Sequence, residues 1–431
     1  MRRLAFAWIL SVVALLAGCD SRSPDAVTRL KQVYAERPAV ASADNAFLDA
    51  FGFLGPADAD AHELGAQRIA WFEKLRDDPK TAGTDPGKEA LDTKASRLQT
   101  LRQIVDACSA AVARACGSAL ERVKVDEPLS DIEPVLLARY EVLVGRRGWY
   151  EIGTTVPDAT LPAYQGMLDG QRLRLIRLIE TARVGDVEEV RATLSRDLAY
   201  WRMMFASSDV LLSKMIALAG IRQHFAFGSH VLRQLPAGRV MEGVPAQWHQ
   251  EFSAGELSML RVMSGELLIA EGIVSDGGKS PDEIGDAGEK RDATDDVAVV
   301  DPRQRRRREN LLNDYADFYL AAAEQYRGPL TGYEAVSQKL HDEYKSVISH
   351  ALDVRPYALR IGSAEGMRRA ALLTAQLRSQ SVPITELESR LKESPLRNPY
   401  NGEPFAWDAA DQAVVYTGPE ARKYRRQAYL Y

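Results

Sequence analysis

Cysteine is scarce in this chain, with 3 residues among 431, and histidine is little commoner at 6. A disulfide-dense scaffold is thereby excluded, since its cysteine content would exceed ~8–10%. Glycine, at 30 residues, is far too sparse for a collagen-like repeat. No apolar run reaches the ~18–20 residues that a membrane-spanning helix needs, which excludes a polytopic membrane protein. Basic residues are not in excess either: 55 Lys and Arg stand against 60 Asp and Glu, for a net charge of −5. That balance excludes nucleic acid as a partner, because its binders concentrate positive charge on one face or domain. Apolar side chains are plentiful, at 46% of residues, enough for a large buried interior. Wholly disordered chains combine low hydrophobicity with high net charge, and this one has neither. Domains commonly run to ~100–200 residues, so two or three packing units are expected.

The N-terminus carries the sharpest local signal. Met1-Arg2-Arg3 is a short basic head, Leu4 to Leu16 is apolar but for Ser11, and Leu16-Ala17-Gly18-Cys19 follows. A basic head, an apolar stretch of ~7–15 residues and small residues at a cut site make a secretory signal. Leu15-Leu16-Ala17-Gly18-Cys19 resembles the lipobox of bacterial lipoproteins, Leu-x-[Ala/Gly/Ser]-[Ala/Gly]-Cys. The resemblance implies that the Cys19 thiol receives a diacylglycerol, that the chain is cut before it and that the new amine is acylated. Several acyl chains anchor stably where one does not, at ~0.8 kcal/mol per buried CH2. The expectation is a body in the cell envelope, held to the membrane by its N-terminal lipid and facing the periplasm. Asp20 resembles the signal that retains lipoproteins at the inner membrane of enteric bacteria, which favours that membrane. Removing residues 1–18 takes Arg2 and Arg3 away and leaves 53 basic against 60 acidic side chains. Such a charge gives no pull toward anionic lipid.

After Cys19 only Cys108 and Cys116 remain, an even pair in what would be an oxidising compartment. Eight residues of continuous helix would separate their Cα atoms by ~12 Å, beyond the ~7 Å limit for a disulfide. A structural disulfide between Cys108 and Cys116 therefore requires the chain to turn between them. Two unpaired thiols are the alternative.

Apolar periodicity is helical almost throughout. The expected class is all-α, with helical hairpins packed as a bundle or irregular array and a small C-terminal β-hairpin. Val187, Val190, Leu194, Leu198, Trp201 and Phe205 recur at three- and four-residue steps, one stripe of an amphipathic helix. Tyr164 to Thr181 shows a similar face, and Arg183-Val184-Gly185-Asp186 joins the two with Gly as C-cap and Asp as N-cap. Asp209 is placed to cap a third helix ending near Leu235, before Pro236. Ser253-Ala254-Gly255-Glu256 reads as a capping box opening a helix to about Glu271, and Thr385 to Glu388 as the cap of a short helix. Phe405-Ala406-Trp407 and Gln412 to Tyr416 read as a hairpin. The resulting division is signal peptide 1–18, lipid tether 19–45, helical domain 46–274, flexible acidic loop 275–304, second helical segment 305–394, and turn, β-hairpin and tail 395–431.

Motifs for chemistry are few. His62, His224, His230, His249, His341 and His350 form no His-x-x-x-His, so no metal site is indicated, and no cofactor is implied. His224 reads as a packed histidine. Ser389-Arg390-Leu391-Lys392 matches Ser-x-x-Lys without its partner motifs, and Gly277-Gly278-Lys279-Ser280 only superficially matches the end of a phosphate loop. Carboxylates for glycan hydrolysis could come from Glu188-Glu189, Asp342-Glu343, Glu256 or Glu266. Among them Glu266 lies amid Leu257, Leu260, Met263 and Leu267, where burial would raise its pKa. Pairing with Arg261 is the blander reading. The Arg305 to Arg308 run reads as a solvated helix entry or a phosphate or partner site.

Two stretches carry a second resemblance. Asn45-Ala46-Phe47, Phe51-Gly52-Phe53 and Pro56-Ala57-Asp58-Ala59-Asp60 are similar to the opening of a group of exported gammaproteobacterial helical proteins. Asn398-Pro399-Tyr400-Asn401-Gly402-Glu403-Pro404-Phe405 resembles their Asp-Pro-Phe-x-Gly-x-Pro ending, with Asn for the usual Asp and Tyr for the usual Phe. The resemblance covers about a fifth of the chain and brings no catalytic residue. Three functions follow as expectations. The first is a non-enzymatic helical scaffold or protein-binding module on the membrane. The second is a periplasmic peptidoglycan hydrolase or lyase, and the third an immunity or inhibitor lipoprotein against a cell-wall enzyme.

Overall fold

The computed structural model describes residues 25–431 except 79, 81–82, 88–90, 92–98, 110–112, 124–126, 130, 276–301 and 420–425. Cys19 and the signal, Gly277 to Ser280 and Tyr424 lie outside the described residues. The fold is all-α with a small antiparallel sheet at the C-terminus.

Helices α1 (Ala26–Ala35), α2 (Ala46–Gly52) and α3 (Ala61–Asp77) are capped by Asp25, Asn45 and Asp60, each accepting a backbone N–H of the first turn. Next come α4 (Gln99–Ser109), α5 (Ala113–Glu121) and α6 (Glu133–Val144). The long helices α7 (Tyr164–Arg183), α8 (Val187–Ser207) and α9 (Leu211–Arg233) follow. Short α10 (Val240–Gly243) and α11 (Ala254–Leu257) lead into α12 (Leu260–Ser275). The second half holds α13 (Pro302–Gln325), α14 (Tyr333–Glu343), α15 (Lys345–Ile348), α16 (Arg355–Ser379) and α17 (Leu387–Glu393). Strands β1 (Ala406–Asp408), β2 (Ala413–Thr417) and β3 (Arg426–Leu430) pair antiparallel in that order, with Trp407 opposite Val414 and Val414 opposite Tyr429.

The α7–α8 hairpin forms as its sequence dictates. All six apolar stripe residues of α8 are buried, Gly185 takes the left-handed φ of +81°, and Asp186 accepts from Glu189 N. Helix α9 packs against α7, α8, α12 and α16 and buries side chains all round, from Leu211 and Ile221 to Phe225, Phe227 and Val231. Gly220 lets α8 approach: a Cβ there would overlap the Trp201 indole. One hydrophobic cluster runs from Leu30 through both halves to Tyr429. The segments 46–274 and 305–394 are therefore not separate packing units.

The structure departs from several expectations. Segment 19–45 is not all tether: α1 docks on α12 and α13 through buried Leu30, with Lys31 paired to Glu271 and Arg29 to Glu324. Helix α13 opens at Pro302, three residues before the expected 305, because proline fits the first helical turn. The Ser253 box forms, but its helix stops at Leu257 and α12 starts afresh at Leu260. Thr385 caps nothing, since a 3-10 turn over Ile384–Glu386 leads into α17. The hairpin gains a third strand, β3, whose Tyr429 is buried.

Cys108 on α4 and Cys116 on α5 are disulfide-bonded, with Cα atoms 4.2 Å apart. The chain reverses between them, and α5 then meets the C-terminal turn. Asp411 accepts from Ala113 N and Arg114 N, both at 2.8 Å.

Candidate functional site

Three groupings of polar side chains lie within or against the core. The first joins α6, α7, α8 and α9 through Asp197. Its Oδ2 accepts from His224 Nδ1 at 2.7 Å and Gln171 Nε2 at 3.1 Å, and its Oδ1 accepts from the Tyr140 hydroxyl. Trp248 Nε1 donates to His224 Nε2 at 2.7 Å, which assigns the ring proton to Nδ1 and leaves the imidazole neutral. Trp201 Nε1 donates to the Tyr140 oxygen at 2.9 Å. Burial, followed by the Asp197 charge, drives the Tyr140 hydroxyl well above its usual range. A carboxylate orienting a histidine is the geometry of a general base, but the catalytic nitrogen here is committed to an indole.

The second grouping closes α1 over the body. Asp209 is fully buried; Arg261 Nε reaches its Oδ1 at 2.6 Å and Arg37 reaches its Oδ2. The Arg37 guanidinium lies 3.7 Å over the Tyr34 ring and donates to Tyr150 Oη at 3.0 Å. Glu151 sits beneath and accepts from Trp149 Nε1 at 2.9 Å and Asp209 N at 3.2 Å. Burial, then the charge of Asp209, push its carboxyl up to about 7. Asp209 is thus not the cap of α9; two arginines distant in sequence claim it.

The third grouping opens to solvent. A pocket of about 420 Å³ lies between α12, α13 and the turn after α15. Ile269, Ala270, Ile273, Val274, Leu311 and Leu352 make its walls, with Tyr315 and Tyr319 on α13. Ile273 and Leu352 stay 47% and 37% exposed. Glu266 is the carboxylate among the residues lining it. Leu211 N, in the first turn of α9, donates to Glu266 Oε1 at 2.7 Å, and no ion pair reaches Glu266 among the described residues. Burial raises its pKa, against the pull of that N–H. Arg261, the expected partner, serves Asp209 instead. At the mouth Arg308 donates to Ser275 O at 3.0 Å.

The other sequence candidates fall apart in space or into structural roles. His62 bonds Asp49 at 2.8 Å beside Arg146, and His230 is buried, its pKa lowered to about 4 chiefly by burial. His249 and His350 are exposed and His341 is half-buried. Glu188 pairs with Arg191, Glu189 with Arg174, and Glu256 with Arg202. Asp342 and Glu343 face solvent. Ser389 bonds Glu393 at 3.1 Å rather than Lys392. Arg305 to Arg307 lie exposed on the first turns of α13. Asp58 to Asp60 belong to a loop held by Arg139, which donates to the carbonyls of Phe53, Gly55, Pro56 and Ala59. In the Asn398 turn, Asn398 Nδ2 donates to Thr417 O at 2.9 Å. No group of three or more metal-ligating side chains occurs among the described residues, and no described helix is long and apolar enough to cross a membrane.

Sequence reasoning singled out Glu266 but missed Glu151 and Asp197. For Glu151 a signal existed: one acid flanked by Trp149, Tyr150 and Ile152. Asp197 had none, because its partners come from three other helices. No protein-family model, no curated protein and no solved structure matches the chain.

Proposed function

We propose that this is a lipid-anchored protein of the cell envelope, acylated at Cys19, whose helical body serves as a non-enzymatic scaffold or binding module facing the periplasm. The Leu15 to Cys19 lipobox supports the anchor. One observation carries the non-enzymatic reading: His224, Asp197, Asp209 and Lys214, the buried groups best suited to acid–base work, are committed to the fold. Both ring nitrogens of His224 are bonded, Asp197 takes three donors, and Asp209 holds two arginines. Buried Lys214 donates to Phe205 O and Glu256 O at 2.7 and 2.8 Å. Six residues lie between Cys19 and the start of α1, seven Cα–Cα steps that span at most ~25 Å. The body would ride close to the bilayer.

Hydrolysis of a glycan calls for two carboxyl groups flanking the scissile bond, one of them kept protonated. Glu266 has the environment of such an acid without a second carboxylate in its pocket. Glu251 and Glu365 face another cleft, but both grip Arg369, and Arg368 and Arg369 hold Glu365 below its usual range. Incubating the purified protein with peptidoglycan tests this part of the proposal. No soluble fragments should appear. Release of fragments that is lost in Glu266→Gln would establish the hydrolase instead.

A further inference from the structure

We infer that the pocket between α12 and α13 is a binding site for a small organic cation, an ammonium on a short apolar body, with Glu266 as its counter-ion. The inference goes beyond the function proposed above; it rests on the pocket alone and would stand if Cys19 carried no lipid.

The walls select for an apolar body. Ile269, Ile273, Val274, Leu311 and Leu352 would exclude water from it, and a volume of about 420 Å³ lies in the range of small-ligand sites. The carboxylate in the lining selects for a cation. Glu266 has one oxygen on Leu211 N, while Oε2 has no hydrogen-bond partner among the described residues. A partly buried carboxyl that no protein cation reaches can be met by an ammonium through ion pair and hydrogen bond together. Tyr315 and Tyr319, with ring centroids 6.4 Å apart, line the same pocket, and aromatic rings attract a nearby cation.

Neither basic group of the lining competes for Glu266, and Tyr319 lies near enough that, after burial, the Glu266 charge raises the pKa of its hydroxyl. Arg308 is tied to Ser275 O, and Ser275 lies nine residues along α12 from Glu266, roughly 13 Å of helix. His350 is exposed at the rim, where its Nδ1 lies 2.7 Å from Ser349 Oγ. An anionic ligand would put its charge against the carboxylate if inserted head first. Inserted tail first, it would leave Oε2 facing hydrocarbon.

The test uses three probes that share a 2-phenylethyl body, 2-phenylethylamine, 2-phenylethanol and 3-phenylpropanoate, titrated into the full chain and followed by calorimetry and ligand-observed NMR. The amine should bind about tenfold more tightly than the alcohol, the usual contribution of a charge-assisted hydrogen bond, and the carboxylate should bind most weakly. Glu266→Gln keeps an acceptor for Leu211 N, so the fold is retained, and it should erase the preference for the amine. Ile273→Trp, at an exposed wall position, should fill the pocket and abolish binding of all three. Thermal melting of both variants checks their folding independently. Equal binding of alcohol and amine would overturn the inference. So would an amine preference that survives in folded Glu266→Gln, amine binding undiminished in folded Ile273→Trp, or no amine binding at ~10 mM, where even a millimolar site would be occupied.

Discussion

At the scale of single residues the molecule is governed by carboxylates that were bought into the interior by donors from distant segments. Asp197 takes a proton donor from each of α6, α7 and α9. Asp197→Ala would strand all three, and each buried unpaired group costs about 1–3 kcal/mol, so a loss of about 3–5 kcal/mol is predicted in urea unfolding. A loss under ~1 kcal/mol would mean that the network carries little weight. Glu151 makes a pH prediction. Burial, then the Asp209 charge, push its folded carboxyl up to about 7 from the usual 4.5. Between those values the folded chain holds a proton that the unfolded chain has released, so stability is greatest below the unfolded pKa and falls as pH rises toward 7. The loss is on the order of 3 kcal/mol and levels off above the folded pKa. Glu151→Gln should flatten that fall when unfolding is measured from pH 4.5 to 8. An unchanged slope would assign it to other groups. Glu266 was legible because one acid amid Leu257, Leu260, Met263 and Leu267 breaks a helical stripe. Asp209 was misread because local spacing makes it a cap, whereas Arg37, just past the end of α1, and Arg261, on α12, come from segments far away in sequence.

At the scale of elements, the α4–α5 reversal and the α8–α9 contact are the informative joints. The disulfide closes a short loop, and its removal in a Cys108→Ala/Cys116→Ala double variant should lower stability by roughly 2–3 kcal/mol. Comparing chemical unfolding of the variant with the oxidised chain checks this, and equal midpoints would contradict it. Gly220→Ala places a methyl against the Trp201 ring and should cost about 1–3 kcal/mol by overpacking, read as a lower melting temperature. A neutral outcome would show that the two helices can part. Elements with one apolar face were legible: the α8 stripe gave its helix directly, and Gly185-Asp186 gave its turn. Helix α16 was harder. It starts at Arg355 with proline in its first turn, and it is buried on several sides, so no single stripe marks it. Strand β3 needs β2 as its template, and five residues offered no pattern of their own.

At the scale of the whole molecule, two expected packing units become one core, because α9 and α16 lie against each other and join the halves. Sequence periodicity reports how one helix is buried and is silent on which helix buries it. For that reason the class was legible and the single core was not. The same limit applies to α1, since its sequence does not say that α12 and α13 bury Leu30. Docking of α1 places the packed body within a few residues of Cys19, and the account depends most on that cysteine. Growth of expressing cells with an alkynyl fatty acid, followed by reporter coupling, is the direct measurement. The wild-type chain should be labelled and sediment with membranes, while Cys19→Ala should be unlabelled and leave the membrane fraction. An unlabelled wild type, with Cys19→Ala fractionating in the same way, would contradict the proposed anchor and the envelope role built on it.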